Sequence, residues 1–360
     1  MSDVADCITA WTERGERVAM ATVVETKKSA PTPNGTKMVL GENGQIVGAV
    51  SGGCVEGAVV EVAEGILAGE EPRLLHYGIA DEEAWEVGLP CGGEISVWVE
   101  AFASDSLQAR FNERLRDGRR AVMVTALQGV PRPGAKLFLG VDEDPAGTLG
   151  DDTLDGAATA LAREALWSEH SALREHDGAV LFIDVAAPPP RLIIVGAVDF
   201  AAQLSALAAL AGWRTFVVDP RSRFATRERF PAAERVIAVW PQEAFSELER
   251  IDRATAIAVL THDPKLDDAA LLTALASDAG YIGAMGSRRT QAKRRERLLA
   301  AGLDATALDR VSAPIGLDLG GLTAAETALS IMAEIVAVRR GRAGGRLAER
   351  DGRIHEPVVV

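Results

Sequence analysis

The chain has 360 residues, 48% of them apolar and 25% charged, which is enough to bury a sizeable core and, by length, to form two domains rather than one. Its 38 lysines and arginines face 52 aspartates and glutamates, a net charge of −14, and this opposes binding to nucleic-acid backbones because nothing offsets the repulsion. The opening Met1-Ser2-Asp3-Val4-Ala5-Asp6 has neither a basic nor an apolar run, and no later stretch supplies the roughly 20 charge-free apolar residues of a membrane span, so a soluble cytoplasmic protein is expected.

Three cysteines, Cys7, Cys54 and Cys91, with no C-x-x-C pair, argue against a disulfide framework and against a closed thiolate zinc site, which needs about four ligands. The thiols are expected to be reduced. Cys7 falls on an amphipathic N-terminal helix, where it reads as a packing residue.

Beyond that helix the first half of the chain repeats itself. Thr22 to Gly41, TVVETKKSAPTPNGTKMVLG, and Thr125 to Gly140, TALQGVPRPGAKLFLG, each carry a strand, a P-x-P turn, a glycine, a lysine and an apolar strand. The parallel continues from GAVSGGCVEGAVVEVAEGIL (Gly48 to Leu67) to GTLGDDTLDGAATALAREAL (Gly147 to Leu166), and each copy closes on an apolar strand, Ile95–Val99 and Ala179–Val185. Neither copy is long enough to cover its own sheet, so the two are expected to make one α+β domain, residues 1–187, with repeats at about 18–100 and 120–186. Where the first copy has Ser51-Gly52-Gly53-Cys54-Val55-Glu56 the second has Gly150-Asp151-Asp152-Thr153-Leu154-Asp155, so thiol chemistry is confined to the first.

Ala186-Ala187-Pro188-Pro189-Pro190 is a stiff, extended connector. After it, strands and helices alternate: strand 191–195, helix 199–211, strands 214–218 and 235–240, helix 241–250, strand 254–260, helix 266–278, strand 281–284, helix 288–301 and a long helix 323–340. That succession predicts a Rossmann-like, doubly wound parallel sheet over 188–342, with a tail at 343–360. The first strand runs into Gly196-Ala197-Val198-Asp199-Phe200-Ala201, and the next strand ends in Asp219, where an acidic residue can hold a ribose hydroxyl. Gly196 and Ala201 fit the first and third positions of G-x-G-x-x-G/A, whereas Val198 stands at the second and obstructs close approach of a pyrophosphate. An NAD(P)-dependent oxidoreductase using Gly196 and Asp219 is therefore the alternative functional reading.

Several constellations could carry chemistry. Cys54 follows Ser51-Gly52-Gly53 and is expected to open a helix whose unpaired amides would lower a thiol pKa and receive an anion; the competing reading is a small buried apolar residue on a sharp turn. Cys91, in Gly88-Leu89-Pro90-Cys91-Gly92-Gly93-Glu94, lies on a turn of high backbone freedom, and both thiols neighbour a carboxylate, Glu56 or Glu94. In the second half, Thr261-His262-Asp263, Gly283 through Gly286-Ser287-Arg288 and Pro314-Ile315-Gly316-Leu317-Asp318 follow strands whose carboxyl ends are where open α/β sheets bind ligands. Gly286, Ser287 and Arg288 suit an anion, and the basic run continues through Arg289, Lys293, Arg294, Arg295 and Arg297, which could equally be a solvated helix face. His262 reads as a base, a hydrogen-bond donor or a structural partner of Asp263. Glu326 reads as the capping-box partner of Thr323. There is no metalloprotease helix, nucleophile elbow or Walker loop.

Taken together these motifs resemble the XdhC/CoxI family, the accessory factors of xanthine dehydrogenase and related molybdenum hydroxylases. The resemblance rests on Ser29-Ala30-Pro31 with Gly35, Gly52-Gly53-Cys54-Val55-Glu56, Cys91-Gly92-Gly93, the turn at Gly196, Thr261-His262-Asp263 with Asp267, Tyr281-Ile282-Gly283 through Arg288, Pro314 to Asp318, and Glu326 to Glu334. It implies a maturation chaperone rather than a catalyst, one that binds molybdenum cofactor, cooperates with a cysteine desulfurase that exchanges an oxo ligand for sulfur, and helps insert the cofactor into an apo-enzyme of xanthine dehydrogenase or CO dehydrogenase type. It makes Cys54 and Cys91 candidates for holding the molybdenum end, with Glu56, His262 and Asp263 among the residues expected to bind the cofactor, while Gly286, Ser287 and Arg288 would suit its phosphate. Family members commonly read G-x-G-H at the first Rossmann turn, and Val198-Asp199 depart from that. A homodimer is expected on general grounds.

Overall fold

The computed structural model describes residues 2–27, 32–78 and 93–349, and the chain divides into two units between Pro188 and Pro189. In the first unit one succession of elements occurs twice. α1 (Ser2–Glu13), β1 (Val18–Lys27), β2 (Lys37–Gly41), β3 (Ile46–Gly48), α2 (Glu56–Leu67), β4 (Arg73–Tyr77) and β5 (Glu94–Ala101) are followed by α3 (Leu107–Arg116), β6 (Ala121–Gln128), β7 (Lys136–Gly140), β8 (Ala146–Thr148), α4 (Asp152–Ser168), β9 (Ala172–His176) and β10 (Ala179–Ala186). Each set forms an antiparallel five-stranded sheet, in the orders β3-β2-β1-β5-β4 and β8-β7-β6-β10-β9.

The central strands are apolar on both faces because both faces are covered. Ala19, Ala21 and Val23 of β1 pack in the cluster that holds α2, while Val18 and Met20 pack with Val4, Ile8 and Trp11 of α1; this is the period-2 alternation of a strand read twice. β6 does the same with α4 and α3. Even the irregularity is duplicated. The β1–β5 register skips Val24 and the β6–β10 register skips Leu127, and these two bulge residues are buried together with Trp98 and Phe182 where one copy meets the other. Two buried ion pairs cross between copies in the same symmetric way: Lys37 of β2 with Asp184 of β10, and Lys136 of β7 with Glu100 of β5, the latter at 2.6 Å.

The second unit comprises β11 (Arg191–Val195), α5 (Asp199–Leu210), β12 (Arg214–Val218), β13 (Arg235–Ile237), α6 (Pro241–Glu247), β14 (Thr255–Val259), α7 (Pro264–Leu275), β15 (Tyr281–Ala284), α8 (Arg288–Ala300), α9 (Ala305–Leu308), β16 (Val311–Ser312) and α10 (Ala324–Arg339). Its six strands are parallel, in the order β13-β12-β11-β14-β15-β16. Leu204 and Ala208 of α5 with Ile331 and Ile335 of α10 cover one face; Phe245 of α6, Leu266, Ala270 and Leu271 of α7 and Leu298 of α8 cover the other. This is the expected fold class, a duplicated α+β part followed by a Rossmann-like sheet.

The differences lie at element ends. The strand expected over 235–240 stops at Ile237, because Trp240 caps a helix that has Pro241 at its first position. That helix ends at Glu247, where Leu248 turns extended, rather than at 250. α7 begins two residues before the expected 266, with Asp263 accepting from the Lys265 amide at 2.9 Å and Pro264 opening the first turn. The short α9 and β16 are additions to the expected elements. Among the described residues no helix is long and apolar enough to cross a membrane.

Candidate functional site

In the first unit the turn from β3 into α2 is organised by one carboxylate. Glu56 Oε1 accepts from the amides of Val50 (3.2 Å), Ser51 (2.8 Å) and Gly52 (2.9 Å), and Oε2 accepts from the amide of Gly53 (2.8 Å), the amide of Val55 (3.2 Å) and the Ser51 hydroxyl (2.6 Å). Ser51 Oγ in turn accepts from the amides of Cys54 and Val55, at 3.0 and 3.1 Å. Burial pushes the Glu56 carboxyl up, but the Ser51 hydroxyl and the ring of amides outweigh it and hold the group at about 2. Gly52 and Gly53 sit at φ +81° and +119°, a backbone that side-chain-bearing residues rarely adopt, and a Cβ on either would stand in open space. The glycines therefore serve backbone conformation here, not close packing.

Three readings are corrected at this turn. Cys54 does not open a helix: α2 starts two residues later, at Glu56. The loop amides are not an open anion site either, since Glu56 and Ser51 occupy them. Cys54 is also not a buried apolar residue, because it is exposed and its thiol is free. Cys91, with Ser29-Ala30-Pro31 from the resemblance, lies outside the described residues. Cys7 is half-buried and packs with the α1 cluster, in agreement with its reading as a packing residue. Among the described residues no group of three or more His, Cys, Asp or Glu side chains could hold a metal ion.

In the second unit the carboxyl edge of the parallel sheet gathers Gly196, Asp219, Thr261 and the 285–287 turn, as the strand order requires. Gly196, at φ +110°, lies so close to β14's end that a Cβ would sit 2.4 Å from Thr261 Cγ2. Asp219 is fully buried, and its carboxylate is already engaged: Oδ2 accepts from the Ala197 amide (2.7 Å) and the Arg221 guanidinium (2.6 Å), and Oδ1 from the Arg221 amide and Nε, both at 2.9 Å. Burial would raise this carboxyl, yet the Arg221 guanidinium and the two amides hold it below the usual range. Arg229 lies over the same turn, donating to the Ala197 carbonyl at 2.9 Å and to Asp199 at 3.2 Å. With Val198 at the helix cap, the turn is closed by the chain's own groups, and no motif in the sequence marks Arg221 or Arg229 for that task.

His262 is exposed, and its neighbour Asp263 caps α7 rather than pairing with it. Ser287 caps α8, accepting from the Thr290 amide at 3.2 Å, and Arg288 is exposed. The basic run behind them divides. Lys293 is exposed, Arg295 and Arg297 pair with Asp309 and Asp268, and Arg294, 2% exposed, is a core residue. Arg294 donates to Asp267 (2.6 Å) and to the Met285 carbonyl (3.0 Å), while Asp267 accepts from Thr261 Oγ1, so one buried network joins the turns that follow β14 and β15. Burial pushes the Asp267 carboxyl up, against the bonds from Thr261 and Arg294. The sequence signal for this network is spacing: Gln291, Arg294 and Leu298 share one helix face, and Leu298 belongs inside. Glu326 and Thr323 form the expected capping box.

The same segments carry the likeness to known proteins. A model described as the XdhC and CoxI family matches residues 11–78, and one described as the XdhC Rossmann domain matches residues 192–335. The chain belongs to the XdhC and CoxI family. A protein of Bacillus subtilis described as a probable xanthine dehydrogenase subunit is 28% identical over 94% of this chain and 98% of its own length. The molybdenum cofactor insertion chaperone PaoD of Escherichia coli is 27% identical over 90% of this chain and 84% of its own. A crystal structure described as a xanthine dehydrogenase from Bacillus halodurans superposes with a TM-score of 0.61 at 25% identity, covering 97% of this chain and 98% of that one.

Proposed function

We propose that this protein is a molybdenum cofactor insertion chaperone serving a molybdenum hydroxylase of xanthine dehydrogenase type, with the cofactor as cargo. The observation that carries the reading is the likeness, along nearly the whole of both chains, to a protein described as a molybdenum cofactor insertion chaperone. Support from the site is chemical. Molybdenum in oxo- and sulfur-ligated form is a partner for thiolate, and Cys54 offers an exposed thiol on a turn whose amides are internally satisfied. The finer parts of the proposal are a second thiol at Cys91, cooperation with a cysteine desulfurase, contact of the cofactor's phosphate with Gly286, Ser287 and Arg288, service to an apo-hydroxylase that could be of CO dehydrogenase type, and work as a cytoplasmic homodimer.

The nicotinamide alternative has less support. A ribose hydroxyl would have to displace Arg221 from Asp219, and Val198 stands where the dinucleotide fingerprint has its second glycine.

The test is co-purification from a host that makes the cofactor, with molybdenum and pterin quantified per chain for wild type and Cys54→Ala. Wild type is expected to retain pterin and Cys54→Ala to retain at least about tenfold less, the usual loss when a metal-site group is removed. Equal retention by the two proteins removes Cys54 from the proposal. Absence of pterin from wild type, with NAD(P) binding in solution, sinks it in favour of the alternative.

A further inference from the structure

The duplicated first unit contains its own control for the Cys54 turn. Residue 149 stands in the second copy where residue 50 stands in the first, and Asp155 stands where Glu56 does. Asp155 keeps a single one of Glu56's bonds, accepting from the Leu149 amide at 2.6 Å. The rest of the second turn is an ordinary helix start: Asp151, at φ −149°, accepts from the Leu154 amide at 2.9 Å, and α4 begins at Asp152. Thr153, the counterpart of Cys54, is thus inside the helix. In the first copy α2 begins three residues later in register, at Glu56, and its cap Val55 has no side-chain bond. The amides that would have entered the first helical turn are turned onto the longer carboxylate, and the chain makes the detour through two glycines at positive φ.

From this contrast we infer that Glu56 is a positioning residue for Cys54: its carboxylate captures five of the amides between residues 50 and 55, stops α2 about one turn short, and so holds the thiol outside the helix on an exposed loop. The inference rests on the proposed function for its consequence, since a group that meets cargo gains from being held in place before the cargo arrives. The extra methylene of glutamate over aspartate is what permits it. Asp155, one carbon shorter, reaches one amide, whereas Glu56 spans five.

Three proteins test the inference: wild type, Glu56→Gln and Cys54→Ala, each full length and each assayed for amide hydrogen exchange over residues 50–56, for melting temperature and for retained pterin. The Glu56→Gln side chain would present an NH₂ group toward the Gly53 and Val55 donors, so exchange in the loop is expected to quicken by at least about tenfold while the rest of the unit keeps its protection. Retained pterin is expected to fall by about tenfold, as is expected of Cys54→Ala, in which the loop is expected to stay protected. The inference is overturned if exchange in Glu56→Gln matches wild type, or if the loop loosens and pterin retention stays at the wild-type level while Cys54→Ala has lost it.

If Cys54→Ala retains as much pterin as wild type, the failure belongs to the proposed role of Cys54. The positioning claim is then decided by iodoacetamide alkylation of Cys54 in a protein that also carries Cys7→Ser and Cys91→Ser. A change in the pH–rate profile of about threefold or more at pH 7 on adding Glu56→Gln supports it, and superimposable profiles end it.

Discussion

At the scale of single residues, Glu56 shows how far a side chain's role depends on what its neighbours leave for it to bind. Acidic and close to Cys54, it reads in the sequence as part of a binding site; in the fold its acceptor capacity is spent on its own loop. The consequence for pH is definite. The folded-state carboxyl lies at about 2 against an ordinary 4.5, so the stability it contributes is complete above about pH 4.5 and disappears as pH falls through 2. Solvent screening at this partly exposed position reduces that contribution to about 1–2 kcal/mol. Urea midpoints of wild type and Glu56→Gln are therefore expected to differ by a constant amount between pH 5 and 7 and to converge toward pH 2. A difference that persists at pH 2 would assign the effect to packing instead of charge. Asp219 is legible as an acidic residue at a strand end but not as one bound by Arg221, because the arginine follows two residues later in a turn whose shape no local pattern announces.

At the scale of elements, residue pattern locates nearly every strand and helix of the second unit, since short continuous apolar runs record strands buried on both faces and the 3.6-residue pattern records a helix's buried face. Ends are less legible. They are set by caps such as Asp263 and Ser287 and by the local turn of Leu248, each a contest among a few hydrogen bonds. The α7–α8 pair illustrates the same limit for charge. A run of basic residues looks like a solvated face, yet Arg294 is enclosed with Asp267 and ties the turns after β14 and β15 together. Arg294→Met leaves the Asp267 carboxylate buried with only Thr261 and is expected to cost about 3 kcal/mol of the second unit's stability in urea unfolding. Adding Asp267→Asn is expected to restore part of that loss. A single-variant cost near zero would show that water reaches the pair and screens it.

At the scale of the whole molecule, duplication is the organising fact of the first unit. The same strand permutation, the same bulge and the same crossing lysine–carboxylate pair occur in both copies. Each copy covers both faces of its central strand with its own helices and completes its burial against the other copy at the bulge residues Val24 and Leu127 with Trp98 and Phe182, so neither copy is expected to fold alone. The crossing pairs are the sensitive points. Lys136→Met strands Glu100, 5% exposed, without its cation, and is expected to lower the first unit's stability by about 3–5 kcal/mol, whereas Lys136→Met with Glu100→Leu is expected to recover most of it. Calorimetry resolving the two units checks this; loss confined to the second unit would contradict it.

The sequence by itself determined the fold class, the duplication, the order of elements and the family, because these rest on residue type repeated at regular spacing, which any stretch of chain carries locally. It also marked the Cys54 turn as the place where the two copies differ. What only the tertiary structure decided was the state of the polar groups there and at the sheet edge. Whether an amide is open or taken, and whether a carboxylate faces a ligand or its own loop, depends on directions within a few ångströms, and these are set by how neighbouring elements pack. Cys54 and its counterpart Thr153 are both exposed, but one lies on a loop and the other in a helix, in turns whose amides are held by a glutamate in the first copy and, save one, not by the aspartate in the second, a difference visible in the sequence whose meaning appears only once the two turns are folded.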